Sequence, residues 1–208
     1  PLEDVNRSVR IRAGQAVPPG DWDEVVVMIA PERNDLAAYA DWKDRLRLAV
    51  PVYTKEPNFN RLRSLVKRFL REGFDRWEAS DLATLRMFRH VGVRDVSADW
   101  TLYAFNSAAL AALAELGVTR FVASPENNSN NLACLSEGGY SVLRLVQQST
   151  PLFISLTQPA ACACGELAIY PLGDLWITTK RQPRSWTVPG ALPTRVDLSW
   201  DPPEEVLS

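Results

Sequence analysis

Residues 96–127 read V-S-A-D-W-T-L-Y-A-F-N-S-A-A-L-A-A-L-A-E-L-G-V-T-R-F-V-A-S-P-E-N. An apolar run ending near Asp99 has the character of a buried strand. A polar loop with Asn106 and Ser107 follows, then a helix rich in Ala and Leu that stops at Gly117. A second strand over 119–123 delivers Ser124-Pro125-Glu126-Asn127. Strand, helix, strand with this spacing is a parallel unit, and ligands of parallel sheets collect where the strands end. Asp99, Asn106, Ser124 and Glu126 are therefore expected on one rim.

The same rhythm extends in both directions. Apolar or alternating runs at 7–13, 24–30, 45–53, 74–79, 141–146 and 151–156 read as further strands. Helices are expected from Asn34, as a cap, through Trp42, over 59–71, from Ser80 or Asp81, and from Ser129 or Asn130. In 59–71, Phe59, Leu62, Leu65, Val66, Phe69 and Leu70 share one face, and Arg61, Arg63, Lys67, Arg68 and Arg71 cover the other. A solvated outer face explains those cations without a phosphate partner. After Cys164 the rhythm changes. Residues 166–170 and 175–179 flank Pro171-Leu172-Gly173-Asp174, a β-hairpin signal, and 189–200 has room for one more strand. The expectation is an α/β, TIM-barrel-like parallel barrel, degenerate or incomplete, over 1–160, with a small C-terminal β extension and tail over 161–208.

Two segments also carry a family resemblance. D-W-T-L-Y-A-F-N-S at 99–107 and E-L-G-V-T-R-F-V-A-S-P-E-N at 115–127 resemble peptidase family U thirty-two, the collagenase-like proteases. The shared pattern is Asp-x-x-Leu-x-x-x-Asn-Ser, a helix, a Gly turn, and a strand ending Ser-x-Glu. R-L-R-L-A-V-P-V-Y-T-K-E, P-L-F-I-S and G-D-L-W-I-T are similar to flanking segments of the family. The resemblance runs from about Leu46 onward. It implies a barrel-like fold and a hydrolase acting on peptide.

Composition sets the outer limits. The chain has 208 residues, 46 % of them hydrophobic, which suffices for one domain with a real core. A net charge of -2 carries no global basic field, so no nucleic-acid partner is expected. No apolar run reaches membrane-spanning length. The three cysteines, Cys134, Cys162 and Cys164, form no disulfide framework, and with no secretory pattern the expected setting is reducing and cytoplasmic. The opening at Pro1 suggests a processed product or one part of a longer chain with further domains.

Candidate chemistry centres on the rim. Glu32, Glu56, Asp81, Asp99, Asn106, Ser124 and Glu126 all fall at or soon after expected strand ends. Carboxylates gathered there could hold a divalent metal or serve as general acid and base. Equally, each could cap the helix that follows, the simpler account for Ser80, Asp81 and Ser107. For Asp99 and Glu126 both readings stand. As a hydrolase, Glu126 or Asp99 would activate water, Asn106 and Ser124 would position substrate, and Trp100 and Tyr103 would line a peptide-binding mouth. Ser107 and Ser124 lack a nucleophile-elbow context, and the single histidine, His90, is expected at the opposite end of its unit. Relatives of the family carry four cysteines that hold an iron-sulfur cluster in some members. Three thiols fall short of that set, and Cys162-Ala163-Cys164 is spaced too closely for a usual zinc site. The alternatives are a non-catalytic binding or scaffold part of a larger enzyme, and a metal- or iron-sulfur-dependent enzyme modifying RNA or a small molecule.

Overall fold

A computed structural model describes residues 6–160, 165–181, 183–185 and 192–204. Eight parallel strands close into a barrel. They are β1 (Arg7–Arg12), β2 (Glu24–Met28), β3 (Leu46–Ala49), β4 (Arg76–Ala79), β5 (Asp95–Ala98), β6 (Val118–Val122), β7 (Ser141–Gln148) and, after an insertion, β12 (Thr194–Asp197). Closure is explicit: β12 pairs in parallel with both β7 and β1. The expected TIM-barrel-like α/β fold is what the chain adopts.

Among the described residues, helices pack outside as α1 (Glu56–Arg71), α2 (Leu82–Val91), α3 (Ser107–Glu115) and α4 (Ser129–Glu137). Each boundary has a local cause. Asp81, Asn106 and Asn128 accept hydrogen bonds from Thr84, Ala109 and Asn131 backbone amides at the starts of α2, α3 and α4. Pro57 sits in the first turn of α1. Gly92 ends α2 in the left-handed conformation (φ 89°), where a Cβ would be strained. The helix expected after Asn34 is instead a 3-10 helix, Ala37–Arg45. Asn34 does not cap it, because its amide donates to the Ala30 and Pro31 carbonyls.

Strand alternation splits the interior in two. Outward side chains (Val9, Ile11, Val25, Leu48, Trp77, Phe121) meet Leu62, Val66, Phe88 and Leu110 of the helices in one apolar core. Trp77 is fully buried, edge-on to Phe88 at 5.4 Å, a geometry that adds about 1 kcal/mol to the area burial. Inward side chains are largely charged, as described below. No described helix is long and apolar enough to cross a membrane.

Two expectations need correction. Residues 151–156 do not form a barrel strand. β8 (Phe153–Ser155) joins β10 (Leu175–Lys180) and β9 (Leu167–Leu172) in a separate antiparallel sheet. The eighth barrel strand comes from 194–197 instead. The β extension is thus an insertion between the last two barrel strands, not a C-terminal appendage, and the division at 160 cuts through the barrel. A two-residue strand, β11 (Arg184–Ser185), pairs antiparallel with β7.

Candidate functional site

The barrel interior is an ion lattice. Arg10, Arg47, Arg120 and Arg195 face Glu24, Glu78, Asp99 and Asp197, all of them buried. Glu24 takes Arg47 Nε at 2.9 Å, Arg120 Nη1 at 2.7 Å and Arg195 Nη2 at 3.5 Å. Glu78 takes Arg195 Nη1 and lies 3.2 Å from Arg10 Nε, off the line of a hydrogen bond. Ser97 donates its hydroxyl to Glu78. Arg10 Nη1 reaches Asp99 at 3.1 Å and Asp197 at 3.3 Å, and Gln148 donates to Asp197 at 2.7 Å.

Burial opposes ionisation of Glu24, but Arg47, Arg120 and Arg195 overcome it and hold the carboxyl down at about 2. Glu78 is lowered in the same way: burial is outweighed by Arg195 and Arg10. Asp99 goes the other way. Burial pushes it up to about 6, with Glu78 and Asp197 repelling its charge, against the pull of Arg10. Asp201, half-buried and accepting from Ser149, is also raised, by burial first.

Above this lattice the mouth is apolar and covered. Val122, Leu145, Trp100 and Trp200 pack against Ala168, Tyr170, Leu175 and Ile177 of the inserted sheet. Leu172, at the hairpin tip, packs on Val26, Met28 and Ala49 from the strand ends. The tip turns at Gly173 (φ 58°) and is held by Asp174, which accepts from Asn58 at 3.1 Å and faces Lys55 at 3.5 Å. Tyr170 donates its hydroxyl to the Trp200 carbonyl. One side of the mouth stays open as a cavity of about 900 Å³ between the tip, the end of β1 and the segments that follow β2, β3 and β12. Its walls include Arg12, Met28, Glu32, Tyr53, Leu172 and Trp200.

The expected site residues are dispersed. Asp99 enters the ion lattice, where it accepts from the Trp100 amide and the Ser80 hydroxyl. Glu126 is exposed, and its backbone amide donates to the buried Ser124 hydroxyl. Asn106 spends its side-chain oxygen on the α3 cap. Trp100 is buried, 6.5 Å from Trp200 between ring centres, and Tyr103 is exposed and stacked on Phe105. None of the six lines the cavity. The common cavity expected for Asp99 and Glu126 is absent because the Asp99 side chain points inward to Arg10, whereas Glu126 lies on an exposed turn. Of the rim set only Glu32 lines the cavity. Asp81 is a cap and Glu56 opens α1.

Among the described residues no group of three or more His, Cys, Asp or Glu is placed to hold a metal. Cys134 is a free, exposed thiol on α4. Cys162 and Cys164 lie outside the described residues. His90 stands in the last turn of α2, away from the cavity.

The lattice and Arg12 escape a sequence reading that looks for apolar strands. The signal is a charged residue at alternate positions inside nearly every strand: R-S-V-R-I-R, L-R-L-A, R-W-E-A, V-T-R-F-V and T-R-V-D. Comparison with family models, with curated proteins and with solved structures finds no match to this chain.

Proposed function

We propose that this chain is the ligand-binding barrel of a larger enzyme of the collagenase-like peptidase kind, and that it receives a peptide in the cavity beneath the hairpin. The observation carrying this reading is a separation. The acidic residues of the resemblance motif are committed elsewhere or exposed, while a cavity large enough for a few residues of peptide sits at the strand ends. Its walls mix apolar faces (Met28, Leu172, Trp200) with polar groups of both signs (Arg12, Glu32), as a binding site requires.

The chain has two methionines, which provides the test. Met28 lines the cavity and Met87 belongs to the outer core. With 13C-methyl labels, a gelatin-derived peptide pool should move the Met28 resonance and leave Met87 in place. A Met28 signal indifferent to every peptide would reject the reading.

A second reading, hydrolysis by this chain itself, is favoured by Asp99 alone. It is a carboxyl at the strand ends whose proton is held to about 6, within the working range of a general base. Its signature is turnover of gelatin or casein that rises with deprotonation near pH 6 and is lost in Asp99→Asn. The same assay on Glu126→Gln decides whether that exposed carboxylate participates.

A further inference from the structure

We propose that Arg12 is the anchor for the C-terminal carboxylate of the bound peptide. This rests on the cavity being the peptide site.

Arg12 closes β1 in the inward register of Ser8 and Arg10, one layer above the ion lattice. The arginines of that lattice each have a carboxylate within 3.5 Å. Arg12 has none: its guanidinium makes no ion pair or hydrogen bond among the described residues, and its Nε is buried without a partner. The residue is only 8 % exposed, and it lines the cavity. A buried cation left in this state is costly to the fold unless something completes it.

The surrounding charges do not complete it. Burial holds its pKa below the usual arginine value and Arg33 repels its charge, against the pull of Asp201 and Asp197. Asp197 already accepts from Arg10, Gln148 and Ser199, and Asp201 accepts from Ser149. The open donors of Arg12 form a planar fork that matches a carboxylate. A monoanion suits the site better than a phosphate dianion, because Glu32, Asp174 and Glu204 line the same cavity. Met28, Leu172 and Trp200 supply the apolar wall for the residue bearing that carboxylate.

The probes are N-acetyl-leucyl-leucine and its C-terminal amide, titrated against the 13C-methionine-labelled full chain. The acid should shift Met28 with a Kd about tenfold or more below that of the amide, the margin of one charge-assisted fork. Arg12→Met should bring the acid to the level of the amide, and Arg12→Lys should fall between. Arg12→Met should also melt no lower than the wild type, since it deletes an uncompensated buried charge, whereas a structural arginine would lose stability on replacement. Equal binding of acid and amide, or a marked drop in melting temperature for Arg12→Met, would overturn the assignment to Arg12 while leaving the cavity as the peptide site. Inorganic phosphate binding more tightly than the acid would overturn the choice of carboxylate. A Met28 signal that neither probe nor the gelatin pool moves would overturn both readings.

Discussion

Replacing Glu24 with glutamine tests the ion lattice most directly. The substitution keeps shape and deletes the charge that serves Arg47, Arg120 and Arg195. Two routes give the magnitude. Removing one partner from a buried ionic cluster costs about 3–5 kcal/mol, because the remaining charges stay buried and under-compensated. Separately, a carboxyl held at about 2 instead of 4.5 corresponds to about 3 kcal/mol of native-state preference for its charged form. That is a sizeable share of a domain stability of about 5–15 kcal/mol, and it translates to a melting temperature lower by about 6–12 °C. The pH dependence follows from the sign. Glu24 is depressed in the folded state, so its contribution is present above about 4.5 and is lost as pH falls toward about 2. Urea titrations of wild type and Glu24→Gln at pH 7 should differ by about 3 kcal/mol, and the difference should shrink steadily between pH 4.5 and 2.5. A difference below about 1 kcal/mol at pH 7, or one independent of pH, would refute the claim that three guanidinium groups hold this carboxylate charged.

Asp99 has the opposite sign. Its folded pKa is raised to about 6, so its contribution to stability is present below about 3.8 and is lost as pH rises through 6. Asp99→Asn should therefore be at least as stable as wild type at pH 8 in urea unfolding. A large loss there would mean that the Arg10 pairing outweighs burial. Asn106→Ala and Asn128→Ala each remove a helix cap and should cost about 1 kcal/mol in chemical denaturation, without effect on peptide binding. Leu172→Ser takes an apolar side chain off Val26, Met28 and Ala49. Limited proteolysis should then cut the hairpin tip faster than in wild type while the barrel persists, and an unchanged cutting rate would show that Leu172 is not what seats the tip.

Much of the architecture is legible in the chain because its causes are local. The strand ending at Asp99, the helix ending before Gly117, the cap at Asp81, and the hairpin around Gly173 depend on residues a few positions apart; the cap of α3 falls on Asn106, one residue before the expected Ser107. Period, capping chemistry and turn preference act at that range. The segments at 99–107 and 123–127 follow β5 and β6, as the strand–helix–strand rhythm requires. What the local pattern could not say is where those side chains point, and so Asp99 and Glu126 reach no shared cavity. It also assigned the eighth strand to 151–156. There an apolar run, Leu152-Phe153-Ile154, stays largely exposed on the inserted sheet, whereas T-R-V-D at 194–197 closes the barrel.

By itself the sequence determined the alternation of strands with helices, the glycine stops after α2 and α3, and the hairpin, since each follows from the steric and hydrogen-bonding needs of neighbouring residues. Only the tertiary structure decided that Arg10 would meet Asp197 across 187 positions, that three arginines would share Glu24, and that Arg12 would stand at the mouth with no ion pair among the described residues. The physical reason is closure. Ion pairs across a barrel depend on register and on which strand completes the ring, and neither is written in any short stretch of residues.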